Sequence, residues 1–197
     1  MKEFKDKINN VKRKIKEILK ESPLDFDVIH AELTKKRLLE LMPDADDAVK
    51  IAALAHDIDR GVYKITETYN LKDYGNIDEF KKEHAIRSAK VVAKLLQEEG
   101  FENDFVKKVA NIVTNHEVGG DPETNAVMDA DSISYFDYNI NEYFRKNGAE
   151  RLKNKVRFMV KRVSPKGLEI IKKISYNNSE IKTLVKDILS ELPTNKK

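Results

Sequence analysis

Apolar residues recur along this chain at steps of three and four, the spacing of helices that bury one face. Phe4, Ile8, Val11, Ile15 and Ile18 form the first such stripe. It predicts a helix ending near Ser22-Pro23 and packed on the rest of the domain, since fewer than three clear heptads are present for a coiled coil. A second helix is expected from about Asp25 to Leu41, carrying His30 and stopped by Pro43. Asp44 then reads as the N-cap of a helix reaching Ile58. Its small-residue face of Ala48, Ile51, Ala52 and Ala55 lets neighbours approach closely, and its end bears the pair His56-Asp57. From Gly61 to Asn76 the periodicity lapses into a polar loop with Tyr63, Tyr69 and Tyr74, long enough to be functional.

The pattern resumes with a long helix from Ile77 to Glu99, capped by Gly100, that buries Ala85, Ala89, Val92 and Leu96 and bears His84 in its first turns. Another runs from about Asn103 to Glu117, with Phe105, Val109 and Ile112 facing inward and His116 next on that face. After Gly119-Gly120, Pro122 opens a helix through Tyr138 whose inward positions are Val127, Asp131 and Ser134. Beyond Gly148 three more helical stretches are expected, roughly 149–163, 166–175 and 179–191. No strand pattern and no internal repeat is found. The expected fold is all-α, a single domain over 1–197 with an N-terminal helix (1–22), a core (23–140) and a basic helical C-terminal extension (141–197).

Composition narrows this picture. With 197 residues, 40% hydrophobic and 36% charged, the chain can bury one good core. No run approaches the roughly 18 apolar residues of a membrane span, and the lysine-rich start lacks the apolar centre of a signal peptide. No membrane partner and a cytoplasmic location are therefore expected. The absence of cysteine excludes disulfides, thiolate nucleophiles and sulfur-bound metals, so any metal must sit on nitrogen and oxygen. The net charge of +3 conceals an asymmetry: residues 23–140 carry 14 basic and 24 acidic groups, and residues 141–197 carry 15 and 6. A cation is expected in the acidic middle. The basic end reads mainly as a solubilising surface, with a nucleic-acid partner the less favoured reading.

The chain's four histidines, His30, His56, His84 and His116, fall on four different expected helices, with Asp57 and Asp131 beside or after them. A lone histidine is usually a satisfied core or surface imidazole. Four imidazoles and two inward carboxylates at the ends of packed helices call for a compensating cation. The order H…HD…H…H…D resembles the HD superfamily of metal-dependent phosphohydrolases over roughly residues 26–140. The flanks are similar too: "VIHAELT" around the first His, "AALAHDIDR" around the HD pair, "EHAIRSAKVV" around the third, and "VMDADSISYF" at the final Asp. The resemblance implies an HD-domain-like helical bundle in which His30, His56, Asp57 and Asp131 hold one metal. It further implies that His84 and His116 belong to the subgroups that hold two, with Asp57 as the bridge that positions the attacking water.

Imidazole and carboxylate accept Mn²⁺, Fe²⁺, Co²⁺, Ni²⁺, Zn²⁺ or Mg²⁺ without naming one. The expected function is hydrolysis of a small phosphate ester or nucleotide, a dinucleoside polyphosphate among the candidates, by a metal-activated water. The Gly-Tyr-Pro signature of the cyclic-dinucleotide phosphodiesterases is missing, which lowers that option. Candidate phosphate contacts are Arg60, Lys64 and Arg87 near the ligands, and Arg151, Lys155 and Arg162, or Lys153, Arg157 and Lys161, on the 149–163 helix. Asp59, Asp129 and Glu117 lie near the ligands but are left outside the metal set. Two other readings stand beside the hydrolase: an HD-fold di-iron oxygenase with a similar ligand set, and a non-catalytic module that binds nucleotide or nucleic acid.

Overall fold

A computed structural model describes residues 2–192, without the side chains of Thr68 and Tyr69. It is all-α, with no strand among the described residues. Helix α1 (Lys2–Lys20) packs through Ile8, Val11, Ile15 and Leu19. The stripe thus turns slightly from expectation: Leu19 is buried while Ile18 is only partly covered, and Phe4 stays half exposed, edge-on to Phe101. Helices α2 (Asp27–Leu41) and α3 (Asp47–Ala55) follow. The cap of α3 is Asp46 rather than Asp44: its carboxylate accepts from the N–H groups of Ala48 and Val49 at 2.9 and 3.1 Å.

The helix that was expected to run on to Ile58 ends at Ala55 instead. The chain turns through His56–Ile58 and re-enters a short helix α4 (Asp59–Tyr63). Gly61 therefore does not break a helix. It lies inside α4, buried against α1, where a Cβ would stand 2.0 Å from the backbone oxygen of Ile18. The expected loop over Gly61–Asn76 is likewise partly helical, with α5 (Glu67–Asn70) and a 3₁₀ turn (Leu71–Asp73).

Helix α6 (Ile77–Glu98) is capped by Asn76 and leaves through Gly100 at φ 70°; α7 (Asn103–Asn115) and α8 (Pro122–Ser134) complete the first core. The helical path does not stop at Tyr138. It passes through a π turn (Tyr135–Asn139) into α9 (Ile140–Arg162), whose two arms meet at Gly148, with φ 73°. There the chain doubles back. Lys155 on the return arm stands beside the Tyr135 ring, and Ser164 N donates to Asp129 Oδ1 at 3.0 Å. Asp129 thus anchors the start of α10 (Pro165–Ile171) and takes no part in the histidine cluster. Helix α11 (Ser179–Glu191) packs on α9.

Two apolar clusters result, one from α1–α3 and α6–α8, the other from Ile133 through α11, and Leu41 touches both. No described helix is long and apolar enough to cross a membrane.

Candidate metal centre

The turn after Ala55 lets two adjacent residues reach one point. In a continuous helix neighbouring side chains diverge by about 100°. Here the chain bends at the pair, and His56 and Asp57 are both buried in the same cluster. His30 comes from the first turns of α2, His84 from α6, His116 from the end of α7 and Asp131 from the middle of α8.

His30 Nε2 lies 3.2 Å from His56 Nε2, 3.0 Å from Asp131 Oδ1 and 3.8 Å from Asp57 Oδ2. His56 Nε2 is 3.5 Å from Asp57 Oδ2 and 3.6 Å from Asp131 Oδ1. On the other side, His84 Nε2 is 2.8 Å from Asp57 Oδ1. One donor atom from each of His30, His56 and Asp57 fits within 4.8 Å of the others, and the same holds for Asp57, His84 and His116. Asp57 is common to both groups and turns a different oxygen to each.

The hydrogen bonds prepare these nitrogens for a cation. His56 Nδ1 donates to Ala53 O at 2.9 Å and His116 Nδ1 to Val113 O at 2.7 Å, which makes Nε2 the lone-pair nitrogen of each ring in its neutral form. His84 is fully enclosed, yet neither ring nitrogen has a partner at hydrogen-bonding angles, although Asp57 and Asp59 lie within 3 Å. Unsatisfied buried imidazole nitrogen facing carboxylate oxygen, with no sulfur nearby, is a donor set suited to a borderline divalent metal. The residues present fit such an ion.

Electrostatics leads to the same conclusion. Burial acts to lower the pKa of His56, but Asp57 and Asp131 outweigh it and raise it to about 9. His84 is likewise raised to about 9 against the pull of burial, by Asp57 and Asp59. His116, for which burial dominates, is pushed down to about 4. Burial favours the neutral acid at Asp57 and Asp131, yet Arg60 and the histidines hold both carboxyls well below their ordinary range. The cluster demands positive charge, from protons or from a metal.

Arg60 meets part of that demand. It pairs with Asp57 and, at 3.2 Å, with Asp27 Oδ1, a buried carboxylate that also accepts from Ser22 Oγ at 2.5 Å. Burial raises the Asp27 pKa against the pull of Arg60. Nothing in the sequence singled out Asp27, because its role depends on the approach of α4. Asp59, set aside as outer or exposed, is wholly buried on the far side of His84.

A cleft of about 610 Å³ opens onto the cluster between the two apolar cores, reaching His30, Asp57 and Asp131. Of the expected phosphate contacts, Arg60, Arg151, Lys155 and Arg162 line it. Lys64, Arg87, Lys153, Arg157 and Lys161 do not. Lys64 caps α4 at φ 60° and turns to Glu21. Arg87 is held by Asp59 Oδ2 and Tyr74 Oη, each at 2.9 Å, and Arg157 pairs with Glu191 at 2.9 Å on the exposed side of α9. Lys81, which the sequence did not flag, lines the cleft together with Arg162. Both pair with Glu117, at 2.8 and 3.0 Å.

A family model described as "Domain of unknown function (DUF4202)" matches residues 3–185. The chain belongs to that family. Its description names no activity. No curated protein matches the chain, and no solved structure does.

Proposed function

We propose that this protein is an HD-type metal-dependent phosphohydrolase acting on a small phosphate ester, with nucleotides among the substrates its cleft would admit. The observation that carries the reading is the placement of Asp57. Its two oxygens face two histidine groups, and Asp57 itself lies with His30 and Asp131 on a cleft also lined by Lys81, Arg151, Lys155 and Arg162. His30, His56, Asp57 and Asp131 would hold one divalent ion, and Asp57, His84 and His116 a second. Bound there, such ions supply Lewis-acid charge to phosphoryl oxygens and acidify a water at neutral pH.

The chain's own groups perform the rest. Arg60 pairs with Asp57 and Asp27 and helps keep Asp57, which lines the cleft, ionised despite its burial. The basic rim draws in a dianionic ester, and Glu117 holds two of its cations in place.

Metal analysis of the purified chain, paired with a phosphate-release screen over mono- and dinucleotides and sugar phosphates with added Mn²⁺, Co²⁺, Ni²⁺ or Mg²⁺, tests the reading. Metal-dependent release abolished by Asp57→Asn is the expected result. Bound iron with oxygen uptake and no phosphate release points to the oxygenase. Ligand binding that survives Asp57→Asn points to a non-catalytic module.

A further inference from the structure

The cleft continues past the histidines along the helical hairpin, and its wall there follows an uncommon rule. Every fourth residue from Asp131 to Asn147 lines it, through Tyr135, Asn139 and Tyr143. In a regular α-helix a fourth residue steps about 40° round the axis, so four such steps would drift about 160°, to the far side. The wider π turn over Tyr135–Asn139 takes up part of that drift and keeps the row facing the cleft.

The turn presents polar groups that nothing satisfies. Tyr135 is 6% exposed and its hydroxyl has no hydrogen-bond partner among the described residues; Asn139 Oδ1 is buried and has none among them either. A polar group left unpaired in the interior forfeits its bonds to water with nothing in return. Both residues line one cleft wall with the polar atom itself shut off from solvent, so turning the two side chains outward would offer both atoms to a ligand. The return arm brings the charge: Lys155 Nζ stands 5.8 Å from the centre of the Tyr135 ring and lines the same cleft. It forms no ion pair among the described residues; Glu67 and Glu117 act on it only at longer range.

We propose that Tyr135, Asn139 and Lys155 form a recognition subsite for a phosphate ester whose organic half carries hydroxyl groups. Lys155 takes the anion, Tyr135 Oη exchanges a hydrogen bond with one hydroxyl, and Asn139 Oδ1 accepts from another. A phenyl ester would strand both polar groups against an apolar ring, whereas a ribosyl or polyol ester satisfies them. The inference rests on the phosphohydrolase reading for the identity of the reacting group.

Calorimetric titration of the full chain with ribose 5-phosphate and with phenyl phosphate tests it, run beside phosphate release from both. The sugar ester should bind at least about tenfold tighter, one hydrogen bond's worth of discrimination. Tyr135→Phe and Asn139→Ala should each cut that ratio at least about threefold while moving phenyl phosphate less than about twofold. Lys155→Met should weaken both esters alike and Lys155→Arg should keep most of the binding, which separates loss of charge from loss of fold. Equal affinity for the two esters, or a ratio that survives both Tyr135→Phe and Asn139→Ala, overturns the proposal. A binding preference without phosphate release leaves the subsite standing and removes the hydrolase reading; release without preference does the reverse.

Discussion

Asp59 Oδ1 lies 2.7 Å from Nδ1 of His84, while Asp57 Oδ1 lies 2.8 Å from Nε2 of the same ring. The imidazole is therefore held from behind by a carboxylate that is itself fixed by Arg87 Nε at 2.9 Å and Ser88 Oγ at 3.1 Å. Such an outer carboxylate orients a ligand ring and raises its basicity. Asp59→Asn should lower affinity at the His84 side by about 10–100-fold, read by metal titration, with little change at the His30 side.

The protonation of the cluster sets a pH dependence. His56 and His84 are raised to about 9 from an ordinary 6.5 in the metal-free protein. A group raised on folding stabilises while it is protonated, fully below pH 6.5, and the contribution is lost as pH climbs through 9. His116, pushed down to about 4, is neutral across that window and offsets nothing. The metal-free protein should lose thermal stability from pH 6.5 to 9. Metal affinity should rise over the same interval, because binding must expel those protons. Calorimetry in buffers of different ionisation enthalpy counts them; zero protons released at pH 7 would contradict this.

Gly61 tests the packing that positions Arg60. A methyl group there would stand 2.0 Å from Ile18 O, a backbone atom that cannot rotate away. Gly61→Ala should cost about 1–3 kcal/mol in urea unfolding. Gly120, where an added Cβ meets nothing within 4 Å, serves as the control and should be near neutral on substitution by alanine.

How much was legible in the sequence follows from what each feature depends on. The helices and the residues they bury were readable because burial imposes a period on α2, α6, α7 and α8. The cluster stood out because histidine is scarce in this chain and its four histidines fall on four different expected helices, with Asp57 and Asp131 in the same order as the resemblance requires. The pattern carries the helix past His56 to Ile58 and starts a loop at Gly61, since glycine marks a close approach as often as a loop, and only the neighbouring α1 tells the two apart. Lys64 and Arg87 stand near the ligands in sequence and Arg157 on the basic face of a helix, and neither signal gives the direction a long side chain takes. The π turn leaves no local trace in composition, so the cleft wall at Tyr135 and Asn139 could not be foreseen.

Asp57 and His116 should separate in a metal count. Asp57 belongs to both donor groups and His116 to one. Removing the shared carboxylate takes an oxygen from each group at once and leaves Arg60 facing the histidines with only Asp27 as its partner, so charge as well as coordination is lost on both sides. His116→Ala removes one neutral nitrogen from the far group and leaves His30, His56, Asp57 and Asp131 intact. Asp57→Ala should therefore bring bound metal close to zero, whereas His116→Ala should keep the His30 group loaded at about half the wild-type content. Elemental analysis of both proteins after the same loading decides it: equal losses would mean that the histidines act as a single site and that Asp57 bridges nothing.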